Sequence, residues 1–227
     1  MTSVRLIRAT GLVAIAAGLL FVAIQPMHPA DTLGSVTTDA WALIHYATLV
    51  MLLLFLVGIL GIYARQVEET GWLGIVGLIV LSLGLLITAA LAFVEAFIEP
   101  LLADTGAAFV EGLLGMVEGS GSAVDLGPIT ALWAVSSVLF PLGCLLFGVA
   151  VLRARILPRW APALFAVGLP VAAILVALLP YDLRRVGAMP IGIGLAGMGY
   201  AIWTEKRQGS TGETSAPATL RPREPAA

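Results

Sequence analysis

Charge is scarce in this chain. Asp, Glu, Lys and Arg make up 11% of its 227 residues, against about 25% in soluble domains, which excludes a soluble globular domain. Lysine occurs once, at Lys206, so no apolar stretch holds a lysine for a retinal-type Schiff base. The single cysteine, Cys144, excludes an intrachain disulfide. Two histidines, His28 and His45, are too few for a pair of bis-histidine haems. There is no Gly-x-x-x-x-Gly-Lys phosphate loop, no Cys-x-x-Cys, no His-Glu-x-x-His and no Gly-x-Ser-x-Gly. No cofactor and no nucleic-acid partner is expected, and no catalytic motif assigns an enzyme.

What is present is apolar and comes in blocks. Hydrophobic residues reach 59%, and the mean hydropathy is +1.02. Runs of about 20 residues with almost no charge read as membrane-spanning helices. Six are expected: Ile7 to Ile24, Trp41 to Ala64, Trp72 to Phe97, Ile129 to Leu152, Trp160 to Leu179, and Val186 to Trp203. The first, behind Arg5 and Arg8, also has the outline of a signal peptide. Gln25-Pro26-Met27-His28-Pro29 offers no small-residue cleavage site, so a retained helix is expected. The fold class is therefore an all-α polytopic membrane bundle over residues 1–207. The tail 208–227, rich in Ser, Thr, Pro and Ala, reads as disordered.

Basic residues set the orientation. With a cytoplasmic N-terminus, ten of them (Arg5, Arg8, Arg65, Arg153, Arg155, Arg159, Lys206, Arg207, Arg221 and Arg223) lie inside, and only Arg184 and Arg185 lie outside. Such a bias places both termini and the tail in the cytoplasm. Eleven Arg to one Lys, with abundant Ala, Gly and Val, suggests a bacterial cytoplasmic membrane. Trp72, Trp160 and Trp203 fall at inner helix ends and Trp41 at an outer end, where interfacial anchors sit. The Arg184-Arg185 pair reads either as a misplaced sixth span or as a basic spot for acidic headgroups. In the long acidic loop, Phe109, Val110, Leu113, Leu114 and Val117 recur at helical spacing opposite Glu111 and Glu118, predicting a short amphipathic helix. Gly119-Ser120-Gly121-Ser122 then reads as a flexible link. Glycines such as Gly58, Gly61, Gly74, Gly77, Gly192 and Gly199 predict close helix approach.

The chemistry gathers at one depth. Counting about 20 residues from Trp72 puts the outer hydrocarbon boundary near Leu91 to Val94, so Glu95 lies at it and Glu99 just outside, within reach of water. His28 follows the first span, and His45 lies within a turn of the second span's outer end. Both glutamates stand at a helix C-terminus, whose partial charge favours a bound proton or cation. Several readings are open. Trp41, His45, Tyr46, Glu95 and Ser136 can form a structural polar cluster locking neighbouring spans. The same cluster can serve proton- or cation-linked transport. His28, His45, Glu95 and Glu99 can also ligate zinc or iron, as in a metal-dependent intramembrane hydrolase, although no motif spacing supports that. Pro141 removes a backbone bond in the fourth span and marks a candidate hinge.

Gln25-Pro26-x-His28-Pro29 after the first span, Trp41-x-x-x-His45 opening the second, and Glu95-x-x-x-Glu99-Pro100 closing the third resemble small uncharacterised bacterial six-span membrane proteins. The resemblance covers about the first 105 residues and, beyond them, hydropathy alone. It implies no activity. The expected role is a structural or accessory subunit in contact with the bilayer and other membrane proteins. The alternative is a small transporter using the Glu/His cluster.

Overall fold

The computed structural model describes residues 3–178 and 181–205, except for the side chains of 3–4, 169–170, 173–178 and 181–184. The expected tail 208–227, the last residue of the expected fifth span and the Arg184 side chain lie outside the described residues. The described chain is helical: α1 (Ser3–Met27), α2 (Leu33–Val36), α3 (Asp39–Arg65), α4 (Val67–Phe93), a π-helical turn (Val94–Ile98), α5 (Glu99–Leu102), α6 (Ala107–Glu118), α7 (Pro128–Ala154), α8 (Trp160–Leu178), a 3-10 segment (Tyr181–Ala188) and α9 (Met189–Thr204). Among the described residues, five stretches are long and apolar enough to cross a membrane: Arg5–Met27, Asp39–Arg65, Val67–Leu102, Pro128–Ala154 and Arg185–Thr204.

Local chemistry accounts for several of the boundaries. Thr38 caps α3 by accepting the Trp41 backbone N–H at 3.3 Å. Pro128 and Pro190 stand in first turns, where a missing N–H costs nothing. Gly71 breaks α4 at φ 55° and ψ −152°, a conformation open to glycine, so regular helix begins at Trp72 as expected. The third span does not stop at the predicted boundary. Helical backbone continues through Glu95 and Glu99 to Leu102.

Small residues set how the long helices meet. Gly11 faces Gly199 and Gly18 faces Gly192, so α1 and α9 run antiparallel; a Cβ on Gly11 would come within 2.8 Å of the Gly199 carbonyl. Gly77 against Phe147 and Gly84 against Phe140 join α4 to α7 in the same sense. Gly194 against Phe165 and Gly168 against Ile191 join α8 to α9. Gly58 packs on Ala14 and Gly61 on Thr10, which pairs α3 with α1. With α3 beside α4 and α7 beside α8, the order α1, α3, α4, α7, α8, α9 closes on itself as a ring. Its middle is filled by an aromatic layer. Phe55 stands 6.3 Å from Phe21, 6.1 Å from Phe140 and 5.9 Å from Phe165, and Phe165 stands 6.2 Å from Phe147. Apolar side chains such as Leu19, Leu53, Leu83 and Val138 remain exposed on the outside of the ring, as a lipid-facing surface requires.

The two ends differ in chemistry. At the basic end, Arg8 donates to the Trp203 carbonyl at 3.0 Å and Arg65 donates to Glu205 at 2.8 Å. That hydrogen bond holds the Glu205 carboxyl below the usual carboxylate range. Trp72, Trp160 and Trp203 are exposed there, as anchors would be. Trp41 corrects the sequence reading. It is 1% exposed, because α2 and α6 lie over it and Val36, Val110 and Leu114 pack against it. α6 is the predicted amphipathic helix, with Val110, Leu113 and Leu114 buried and Glu111 exposed. The link after it is folded rather than loose: Gly119 adopts φ 85°, and the Ser120 and Gly121 amides donate to the Gly115 carbonyl at 2.9 and 3.1 Å.

Candidate functional site

Pro100 is where the site begins. It has no N–H, so it cannot serve the carbonyls behind it. The chain answers with a π-helical turn in which the Glu99 N–H reaches five residues back to the Val94 carbonyl. The Glu95 carbonyl then has neither Glu99 nor Pro100 as a donor. It accepts the indole N–H of Trp41 at 2.9 Å. Trp41 in turn presents its own carbonyl to the Nδ1 of His45 at 2.8 Å, and the two rings lie 4.2 Å apart.

That last bond sets the tautomer. A carbonyl can only accept, so Nδ1 of His45 carries hydrogen. The other ring nitrogen, Nε2, faces the Glu95 carboxyl, with Oε2 at 3.5 Å. Two lone pairs would repel, so the contact is attractive when one proton lies on either partner. His28 repeats the pattern: Nδ1 donates to the Pro29 carbonyl at 2.7 Å, and its ring meets that of His45 at 5.1 Å. Burial, then the nearby Arg185, push the His28 ring below the ordinary histidine range, against the Pro29 hydrogen bond and Asp31. Arg185 pairs with Asp31 at 2.5 Å, Asp31 being 3% exposed at its side chain.

These groups form the collar of a cavity of about 350 Å³ inside the ring. Phe21, Met51, Leu52 and Phe140 line its depths, and Gln25, Thr88 and Ser136 add polar points on its walls. Thr88 and Ser136 join their hydroxyls at 2.8 Å, tying α4 to α7. Val117 of α6 lies at the histidine end of the cavity, and the Phe55 layer bounds it toward the basic end. The volume falls within the range of about 300–1,000 Å³ typical of small-molecule pockets.

The predicted residues divide. Trp41, His45 and Glu95 are brought together as a directly bonded unit, and His28 joins them at the collar. Ser136 lines the same cavity, but its partner is Thr88. Tyr46 is a correction: it points outward, 44% exposed, onto Phe97 at 5.1 Å, because it follows His45 by one residue and so faces away. Glu99 is another. Expected in water, it is 2% exposed, because α6 covers it with Leu113 and Met116, and its Oε2 makes no hydrogen bond among the described residues. It borders a separate void of about 20 Å³ beneath Trp133, with Glu95 on the shared wall. Pro141 lines the cavity from within α7, and the helix runs on through it to Ala154. Arg185, of the pair read either as a misplaced sixth span or as a basic spot for headgroups, pairs with Asp31 at the collar.

Among the described residues, no group of three His, Cys, Asp or Glu side chains is placed to hold a metal ion. His28, His45, Glu95 and Glu99 share one end of the bundle, yet Glu99 faces its own void. Gln25, Asp31 and Thr88 were missed by the sequence reading. Gln25 had a signal, standing one helical turn before His28 on the same face; Asp31 had none.

Fold and site together define a class, a multi-helix hydrophobic bundle of the kind that crosses membranes, with a polar-collared cavity within it. The chain matches no family model, no curated protein and no solved structure.

Proposed function

We propose that this is a six-pass protein of a bacterial cytoplasmic membrane that binds a small, partly apolar organic molecule in the cavity beside His45 and Glu95, as the binding step of a solute carrier. The cavity carries this reading. A bundle serving only as scaffold has no need of about 350 Å³ of open space ringed by two histidines, a glutamate and an ion pair.

Parity supports six passes. α1 and α9 are antiparallel, and α8 is antiparallel to α9, so α8 completes an even number of crossings if each long helix spans the bilayer. The excess of arginine at the basic end supports placing that end in the cytoplasm. Cysteine introduced at Ser3 should then label only after permeabilisation, and cysteine at Ser122 in intact cells. The reverse pattern would overturn the orientation.

Binding is tested with three naphthyl probes of one shape, carrying an aminomethyl, a hydroxymethyl or a carboxylate group. At least one should raise the unfolding temperature of the purified protein. Ser136→Phe and Met51→Trp, which fill the cavity from two helices, should remove the shift while the protein stays monodisperse. No shift with any probe, or a shift that survives both variants, would refute the cavity as the binding site.

The accessory-subunit reading has one observation in its favour. Phe21, Phe140 and Phe165 pack around Phe55 between the cavity and the basic end. Co-purification of a stoichiometric partner from mild detergent, with no probe bound, would support it.

A further inference from the structure

The inference rests on the cavity reading above and concerns what the cavity selects. Most hydrogen atoms on its polar side chains are already committed to the protein. His28 and His45 donate Nδ1–H to the Pro29 and Trp41 carbonyls, which leaves Nε2 of each ring, that of His45 facing the Glu95 carboxyl. Gln25 donates one amide hydrogen to the Phe21 carbonyl at 3.0 Å, which leaves its amide oxygen and one N–H. Thr48 donates to the Ile44 carbonyl and Ser137 to the Trp133 carbonyl, at 2.9 and 2.8 Å. Thr88 donates to the Gly84 carbonyl at 2.9 Å, so the hydrogen in its 2.8 Å contact with Ser136 comes from Ser136. Among the described residues, the donors left are one Gln25 N–H, Arg185, whose charge Asp31 balances, and the Trp133 indole.

The cavity thus presents acceptors and one carboxyl, Glu95, above an apolar floor. A ligand rich in acceptors would meet lone pairs on most sides. One carrying several donors and a positive charge meets partners. We propose that the cavity takes a lipophilic amine, its ammonium seated on the Glu95 carboxylate and its apolar body against Phe21, Met51, Leu52 and Phe140. The proton that Glu95 and His45 hold between them leaves to water as the ammonium arrives. One positive charge enters and one departs, so the buried charge is unchanged. The ionisable groups facing the exchange are His28 and Asp31 beyond α1, His45 on α3, Glu99 on α5 and Arg185 before α9. α7 contributes only uncharged side chains to the lining.

Calorimetry on the full chain, with the same three probes, separates this from the parent reading. The amine should bind at least roughly tenfold tighter than the alcohol, and the carboxylate weakest. In buffers of different ionisation enthalpy, amine binding should release about one proton, as one-for-one exchange requires, and alcohol binding none. Glu95→Gln should remove the preference for the amine and its proton release while the alcohol still binds, which also shows that the variant is folded. Tighter binding of the alcohol or carboxylate, or an amine preference surviving Glu95→Gln, would overturn the cation assignment and leave the cavity reading standing. Binding of none of the three would overturn both.

Discussion

The indole of Trp41 donates its hydrogen to the backbone carbonyl of Glu95 at 2.9 Å, across 54 residues of sequence. The bond exists because Pro100 withholds a donor and the chain accommodates it with a π-helical turn. Trp41→Phe keeps the ring and leaves that carbonyl unpartnered in a buried setting. A loss of about 1–3 kcal/mol is expected. In a Pro100→Ala background the new amide can serve the turn, so the same Trp41→Phe change should cost clearly less. Equal costs in the two backgrounds, measured by thermal unfolding in detergent, would mean that Pro100 is not what frees the carbonyl.

Glu99 should be expendable for stability. Its Oε2 is buried without a hydrogen bond among the described residues, beneath Leu113 and Met116. Removing a buried polar atom that has no partner relieves a desolvation penalty of about 1–3 kcal/mol. Glu99→Leu is therefore expected to unfold at the same temperature as wild type or above it. Marked destabilisation by Glu99→Leu would show that the carboxyl is held by a partner at that void, and would make Glu99 part of the site.

Glycine contacts give a prediction with an internal control. A Cβ on Gly77 would come within 2.6 Å of the Phe147 amide nitrogen, which belongs to the facing backbone and cannot rotate away. Gly77→Ala should force α4 and α7 apart and cost about 1–3 kcal/mol, as overpacking does. Gly34 has nothing within 4 Å of the equivalent position, so Gly34→Ala should leave the unfolding temperature nearly unchanged. Similar behaviour of the two variants would contradict the close packing of that helix pair.

Much of this architecture was legible because membrane helices announce themselves through length, hydropathy and small residues. The start of regular helix at Trp72, the amphipathic face of α6 and the glycine contacts follow from local pattern. So does the common level of His45 and Glu95, since helix rise converts residue counts into depth. What escaped depended on one backbone detail and on pairings remote in sequence. Pro100 was visible, but reading it as a π-helical turn requires knowing that helix continues past Glu99, against the apparent membrane boundary. Trp41 looked like an interfacial anchor because nothing local says that α6, some 70 residues on, folds over it. Arg185 and Asp31 are 154 residues apart and carry no mutual signal. The donor census is invisible from sequence, since it depends on which carbonyl each side chain reaches.

His28 gives a test in pH. In the folded protein its charged form is disfavoured, first by burial and then by Arg185, outweighing the Pro29 hydrogen bond and Asp31. An unfolded chain therefore takes up a proton at this ring at higher pH than the folded one does. The stability that the neutral ring contributes is fully present above the ordinary histidine value of 6.5. It declines as pH falls below that value toward the lower folded one. The slope for one such group is at most about 1.4 kcal/mol per pH unit. His28→Gln removes the group while keeping a polar side chain, so the difference between wild type and variant should shift against wild type as the solution is acidified. Arg185→Gln should raise the folded His28 value toward normal and shrink that difference. Because it also breaks the Asp31 pair, the informative comparison is Arg185→Gln with and without His28→Gln. Unfolding temperatures between about pH 5 and 7.5 supply the measurement. A difference between wild type and His28→Gln that stays constant across this range would mean that His28 titrates alike in the folded and unfolded chains, and that the collar does not bury it.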